Sequence, residues 1–207
     1  METNQAAEHL QTIRTLMERS ALYRRALAPI MTFCGVVGIF AGVAGWQLKI
    51  TSDRGFVLFW SGVAGAALLG SFLLVRRQAL KDAEPFWSPP TRRVAQTMLP
   101  PLAIGMFIGV VVVFGFWAED PSLHNFLAVL WAWLYGCALH AAGFFISRGI
   151  RILGLIYCAI GCVLLASLTC CEQFDLPPHL LMAGMFGGLH LACGIYLYFT
   201  EPRKNEA

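Results

Sequence analysis

Apolar positions in this chain fall into six long, unbroken runs with no sustained two-residue alternation. The runs are Ala26–Leu48, Phe56–Val75, Thr97–Trp117, Phe126–Ser147, Ile152–Cys171 and Leu180–Thr200, and none contains Asp, Glu, Lys or Arg. A helix rising about 1.5 Å per residue needs about 20 apolar residues to cross about 30 Å of hydrocarbon, and each run meets that need. The pattern predicts an all-α, polytopic membrane protein whose six transmembrane helices form three hairpins. Glycine and proline inside the runs fit this reading, because neighbouring helices can satisfy the backbone groups they free.

Ahead of the first run the pattern changes. Leu10, Ile13, Met17 and Ala21 recur at helical spacing between polar and charged positions. This predicts a cytoplasmic or interfacial amphipathic helix over residues 1–25, capped at its start by Thr3 or Asn4. Residues 26–200 then form the transmembrane domain and residues 201–207 a cytoplasmic tail. The first apolar run begins near Ala26 and is longer than the core of a signal peptide, so it is expected to stay as a span.

Composition agrees with a lipid-solvated chain. Hydrophobic residues make up 57% and charged residues 13% of the 207 positions, against about 25% charged in a soluble domain. Seven cysteines scattered through apolar runs do not resemble a secreted disulfide framework.

The placement of charge gives the spans a direction. Thirteen of the fifteen Lys and Arg residues lie on one side, in the N-terminus, the second and fourth connections and the C-terminus. Only Lys49 and Arg54 lie on the other, beside the acidic Asp53, Glu119, Asp120, Glu172 and Asp175. By the positive-inside rule both termini face the cytoplasm. Trp46, Trp60, Trp87, Trp117, Trp131 and Tyr198 lie near run ends, where an interfacial aromatic belt is expected. Pro29, Gly38 and Trp46 of the first run match Pro100, Gly109 and Trp117 of the third in spacing, as a duplicated hairpin would.

The longest connection, RRQALKDAEPFWSPPTRRVAQ over Arg76–Gln96, is bracketed by Arg pairs and stiffened by Pro85, Pro89 and Pro90, which keep it from being one continuous helix. Arg76, Arg77, Phe86, Trp87, Arg92 and Arg93 are the candidate contacts here. They would touch anionic lipid at the cytoplasmic face, or a protein partner or second copy, since aromatics beside arginine make good anchors. The stretch RRQALKDAEPFWSPPTRR, the Pro-Pro that opens the third run and the preceding TIRTLMERSALYRR resemble a family of uncharacterised bacterial six-helix integral membrane proteins. That resemblance implies a bacterial inner membrane and carries over no catalytic residue.

The runs hold no fixed charge, unlike most proton- or sodium-coupled transporters. No phosphate-binding loop, zinc-protease helix or nucleophile elbow is present. The polar chemistry that remains is histidine and cysteine. Cys137 and His140 in the fourth run, and His190 and Cys193 in the sixth, are each three residues apart and share a helix face. Counted from the outer ends, Cys137 and His190 fall at about 15–16 Å depth and His140 and Cys193 at about 20–21 Å, so the pairs could face one another. Two His and two Cys could hold zinc, and two His could ligate haem. The plainer reading is helix packing, with histidine bonded to a neighbouring helix and cysteine acting as a small apolar residue. Glycines four apart, Gly38/Gly42, Gly105/Gly109 and Gly184/Gly188, are expected to let helices approach closely.

Three functional readings follow. The first is a non-enzymatic structural, sensory or partner-binding membrane protein that works through its N-terminal helix and the Arg76–Gln96 connection. The second is a haem- or metal-binding redox protein using His140 and His190. The third is a carrier for a small neutral or lipophilic solute. None of the three involves nucleic acid.

Overall fold

The computed structural model describes residues 27–81, 83, 85–115, 123–170 and 176–200. The helix expected over residues 1–25 and the tail over 201–207 lie outside them. Within the described residues the chain is all-helical, and six helices are long and apolar enough to cross a membrane. They are α1 (Leu27–Gln47), α2 (Asp53–Lys81), α3 (Pro89–Phe114), α4 (Leu123–Gly143), α5 (Arg148–Cys170) and α6 (Pro178–Thr200).

The helices extend beyond the apolar runs that predict them. α2 begins three residues early, at Asp53, and continues through Arg76 and Arg77 to Lys81. Charged side chains at span ends can reach back to water, so the helix need not stop where hydrophobicity does. α3 starts at Pro89 with proline in its first turn, where a missing N–H costs nothing. Pro100 and Pro101 lie inside it.

α1 ends in a defined cap. The Lys49 N–H donates to the Trp46 carbonyl (3.2 Å) and the Ile50 N–H to the Gly45 carbonyl (3.3 Å). Lys49 sits in the left-handed region with φ 52°. These are the two hydrogen bonds of a Schellman motif. The sharp turn points the Ile50 carbonyl back at the bundle, where α6 uses it.

Helix pairs close on glycine. Gly35 of α1 meets Leu191 of α6, Gly38 meets Gly187, Gly42 meets Ala183 and Gly194 meets Thr32, a register that makes α1 and α6 antiparallel. A Cβ added to Gly38 would come within 2.8 Å of the Gly187 backbone. α4 and α5 are likewise antiparallel, with Gly136 against the Gly154 carbonyl and Gly161 against Trp133. In lipid, where apolar burial gives no net drive between helices, this close backbone contact is what holds them.

The expected Gly184/Gly188 contact does not form. Gly184 faces open space, and it is Gly187 that packs on α1. The cause is a π-helical stretch, Ala183–Leu189, whose i→i+5 turns re-phase the helix faces. The matched positions of the first and third runs also part company, since Gly109 meets Val57 and Trp131 and not α6. α4 and α6 bury the largest share of their residues, while α2 and α3 bury the smallest. The core lies between α1, α2, α4, α5 and α6, around Met31, Phe56, Trp60, Leu127, Tyr157 and Met182. Trp60 is part of that core, and the Trp131 indole donates to the Gly105 carbonyl of α3 at 3.1 Å. Neither serves as a lipid-facing belt residue, whereas Trp46 is about half exposed.

Candidate functional site

Three polar assemblies stand out in the described residues. The first is in the middle of the bundle. His190, first residue after the π-helical stretch, is almost fully buried. Its Nε2 lies 2.7 Å from the Tyr135 hydroxyl of α4 and its Nδ1 2.9 Å from the Tyr157 hydroxyl of α5. The Tyr157 hydroxyl also donates to the Met185 carbonyl at 2.7 Å. A phenol has one proton to give. With that proton on Met185, the His190 Nδ1–H must donate to Tyr157 and Nε2 must accept from Tyr135. The tautomer is therefore set by the network, and α4, α5 and α6 are joined through one imidazole.

The second assembly lies at the end of the bundle that carries the α1–α2 link. His179, in the first turn of α6, accepts from the Trp60 indole through Nδ1 (3.1 Å) and faces the Ile50 carbonyl through Nε2 (2.9 Å). His124 Nε2 of α4 is 2.7 Å from Asp53 Oδ1 of α2, with both side chains nearly buried. The contact is one of proximity, because that ring nitrogen has no aligned hydrogen-bond partner. Phe56 lies between the two imidazoles, 4.8 Å from the His124 ring and 5.0 Å from the His179 ring.

The two assemblies are linked by spacing. His124 and Tyr135 are eleven residues apart on α4, and His179 and His190 are eleven apart on α6. Eleven residues of α-helix is about three turns, or about 16 Å, so α4 presents His124 and Tyr135 from one face, whereas on α6 the π-helical stretch lies between His179 and His190 and re-phases them. On α4 that spacing is the sequence signal that pairs His124 with Tyr135, while Asp53 on α2 and Tyr157 on α5 carry no such signal. Reading only the charge-free runs discards it, because His124 falls just outside them and tyrosine passes as apolar.

The third assembly is the α2–α3 connection. The Thr91 hydroxyl donates to the Phe86 carbonyl at 2.9 Å, and Ser88 Oγ, 2.8 Å away, supplies its own proton to Thr91. Phe86 packs edge-on against Phe72 of α2 at 5.1 Å. The turn is thus tied down from both sides. Trp87 is nonetheless 62% exposed, and Arg76, Arg77, Arg92 and Arg93 flank it with exposed side chains.

The four residues expected to share a metal or haem take separate partners. His190 is held by Tyr135 and Tyr157. The His140 Nδ1 faces the Arg151 carbonyl at 3.2 Å, and its ring meets Phe144 edge-on. Tyr135 and His140 are five residues apart on α4, about 140° around the axis, so they look in different directions. Cys137 lies against Cys158 of α5, and Cys193 is half-buried at the edge of the core. Cys34 instead bonds Ser71 of α2 at 3.4 Å. Among the described residues no group of three or more His, Cys, Asp or Glu is arranged to hold a metal ion.

No protein-family model, curated protein or solved structure matches the chain.

Proposed function

We propose that this chain is a non-enzymatic, multi-pass membrane protein that binds a partner through its α2–α3 connection. The observation that carries this reading is Trp87. An exposed indole is held on a hydrogen-bonded turn between two arginine pairs. A large apolar ring with little conformational freedom, next to planar cations, is the composition of an interface anchor. Holding the turn rigid before binding removes part of the ordering cost of association.

The distribution of charge supports placing this connection, with both termini, in the cytoplasm. Arg76, Arg77, Lys81, Arg92, Arg93, Arg148 and Arg151 gather at one end of the helices, and Lys49 and Arg54 at the other. On this reading the six spans form three hairpins in a bacterial inner membrane. Anionic headgroups at the cytoplasmic face neutralise the arginines.

The interior fits a supporting role. His190, His179 and His140 all have bonding partners within the protein. A haem or zinc centre on His140, His190, Cys137 and Cys193 would require these side chains to leave the positions described above, which is why the partner-binding reading is preferred.

The test is co-purification from membranes in mild detergent. Trp87→Ala and the double variant Arg92→Ala/Arg93→Ala should each lose a stoichiometric companion that the wild-type chain and Gly184→Ala retain. Equal recovery from all four would remove the reading.

A further inference from the structure

We infer that His179 is a pH-sensitive latch which ties the start of α6 to α2 and to the α1–α2 link while neutral and releases Trp60 when protonated. The inference does not depend on the partner-binding reading, since it concerns the opposite end of the bundle.

The argument rests on what each neighbour can do. The Trp60 indole nitrogen can only donate a hydrogen bond, and the Ile50 carbonyl can only accept one. The neutral ring answers both, with Nδ1 bare toward Trp60 and the proton on Nε2 toward Ile50. A second proton would have to sit on Nδ1, where it would meet the indole N–H. Two donors then face each other and the Trp60 bond is lost. His190 differs here, because its neighbours are hydroxyls that can turn from donor to acceptor.

Turning the ring over would put carbon where Nδ1 and Nε2 now sit, so the Ile50 bond would be lost as well. Gly45 of α1 is so close that a Cβ there would collide with the imidazole. Phe56 and Phe59 close other sides at 5.0 and 5.7 Å, the second edge-on. Among the described residues, the titratable groups around His179 are His124 of α4 and Asp53 of α2, which lie against each other. α1 offers the uncharged Gly42 and Gly45, and Lys49 of the link is exposed. Protonation of His179 therefore adds a positive charge near His124, and the one carboxylate among these groups, Asp53, lies against His124 and not against His179.

Release has a defined consequence. The first turn of α6, opened by Pro178, would lose its side-chain tie to α2, while α1 and α6 remain joined at Gly38 and Gly187 further along. Acid would loosen one end of the bundle and leave its middle intact.

The experiment is a pH titration of the full-length protein in detergent micelles with nitrogen-15-labelled tryptophan, the Trp60 indole signal being assigned with Trp60→Phe. Between pH 8 and pH 5 the Trp60 indole should shift reversibly, with about tenfold faster solvent exchange relative to Trp131 once its bond is lost. Trp131 and Trp133, which donate to the carbonyls of Gly105 and Cys158, should stay in place. In His179→Asn, which keeps an acceptor near Nδ1 but does not titrate, the Trp60 signal should not move. A fixed Trp60 signal in the wild type would overturn the inference. So would the same shift in His179→Asn, or a shift abolished by His124→Gln and not by His179→Asn. Should His179→Asn fail to fold, labelled histidine in the wild type decides the matter. A His179 that gains its second proton while Trp60 stays fixed refutes the latch.

Discussion

The Tyr157 hydroxyl ties α5 to α6 through two hydrogen bonds. It gives its proton to a carbonyl within the π-helical stretch and receives one from His190. Tyr157→Phe leaves Met185 and His190 each short of a partner. Interhelical hydrogen bonds in membranes average about 0.6 kcal/mol each, so the loss should be roughly 1 kcal/mol, read as a lower unfolding midpoint in detergent. Tyr135→Phe breaks one bond and should cost about half as much. Lys49 predicts the opposite sign. A lysine at φ 52° carries the penalty of a left-handed residue, and Lys49→Gly should stabilise the fold by up to about 1 kcal/mol while leaving its cap bonds in place. Some of this was legible in the chain beforehand. His190 could be singled out as a polar residue in an apolar run, and histidine bonded to neighbouring helices was the plainer expectation for it. Its partners could not, because a tyrosine in a membrane segment looks the same whether its hydroxyl seeks an interface or a buried imidazole.

At the scale of the helix, the six spans were readable because the length and purity of an apolar run follow directly from the thickness of hydrocarbon. Their ends were less so. α2 and α3 run on into Arg76–Lys81 and back to Pro89, where hydropathy falls but backbone bonding continues. Helix faces were least legible where a π-helical stretch intervenes. Spacing by four predicts Gly184 and Gly188 as the contact, and the re-phased helix uses Gly187. This separates two otherwise similar substitutions. Gly187→Ala would drive a methyl into the Ile39 backbone and should destabilise the protein by about 1–3 kcal/mol, as overpacking does. Gly184→Ala meets nothing within 4 Å and should be neutral or slightly stabilising. Thermal unfolding of the two variants side by side checks the register of α1 on α6.

For the molecule as a whole, the polar groups divide by role. Two buried layers, at His124/His179 and at Tyr135/His190, brace α4 and α6 against their neighbours, while the α2–α3 connection turns an indole and four arginines outward. The connection drew attention in the sequence through its prolines, aromatics and paired arginines. What could not be read there is that Phe86 packs inward on Phe72 while Trp87 stays out, a choice made by the Ser88–Thr91 turn. The most direct test of Trp87 as a docking anchor is a photoreactive amino acid at position 87 of the full-length protein in its native membrane. It should give a discrete cross-linked product that Arg92→Glu/Arg93→Glu abolishes and that the same probe at the exposed, lipid-facing Phe40 does not give. The same diffuse lipid products from both positions, unaffected by the arginine substitutions, would contradict the account.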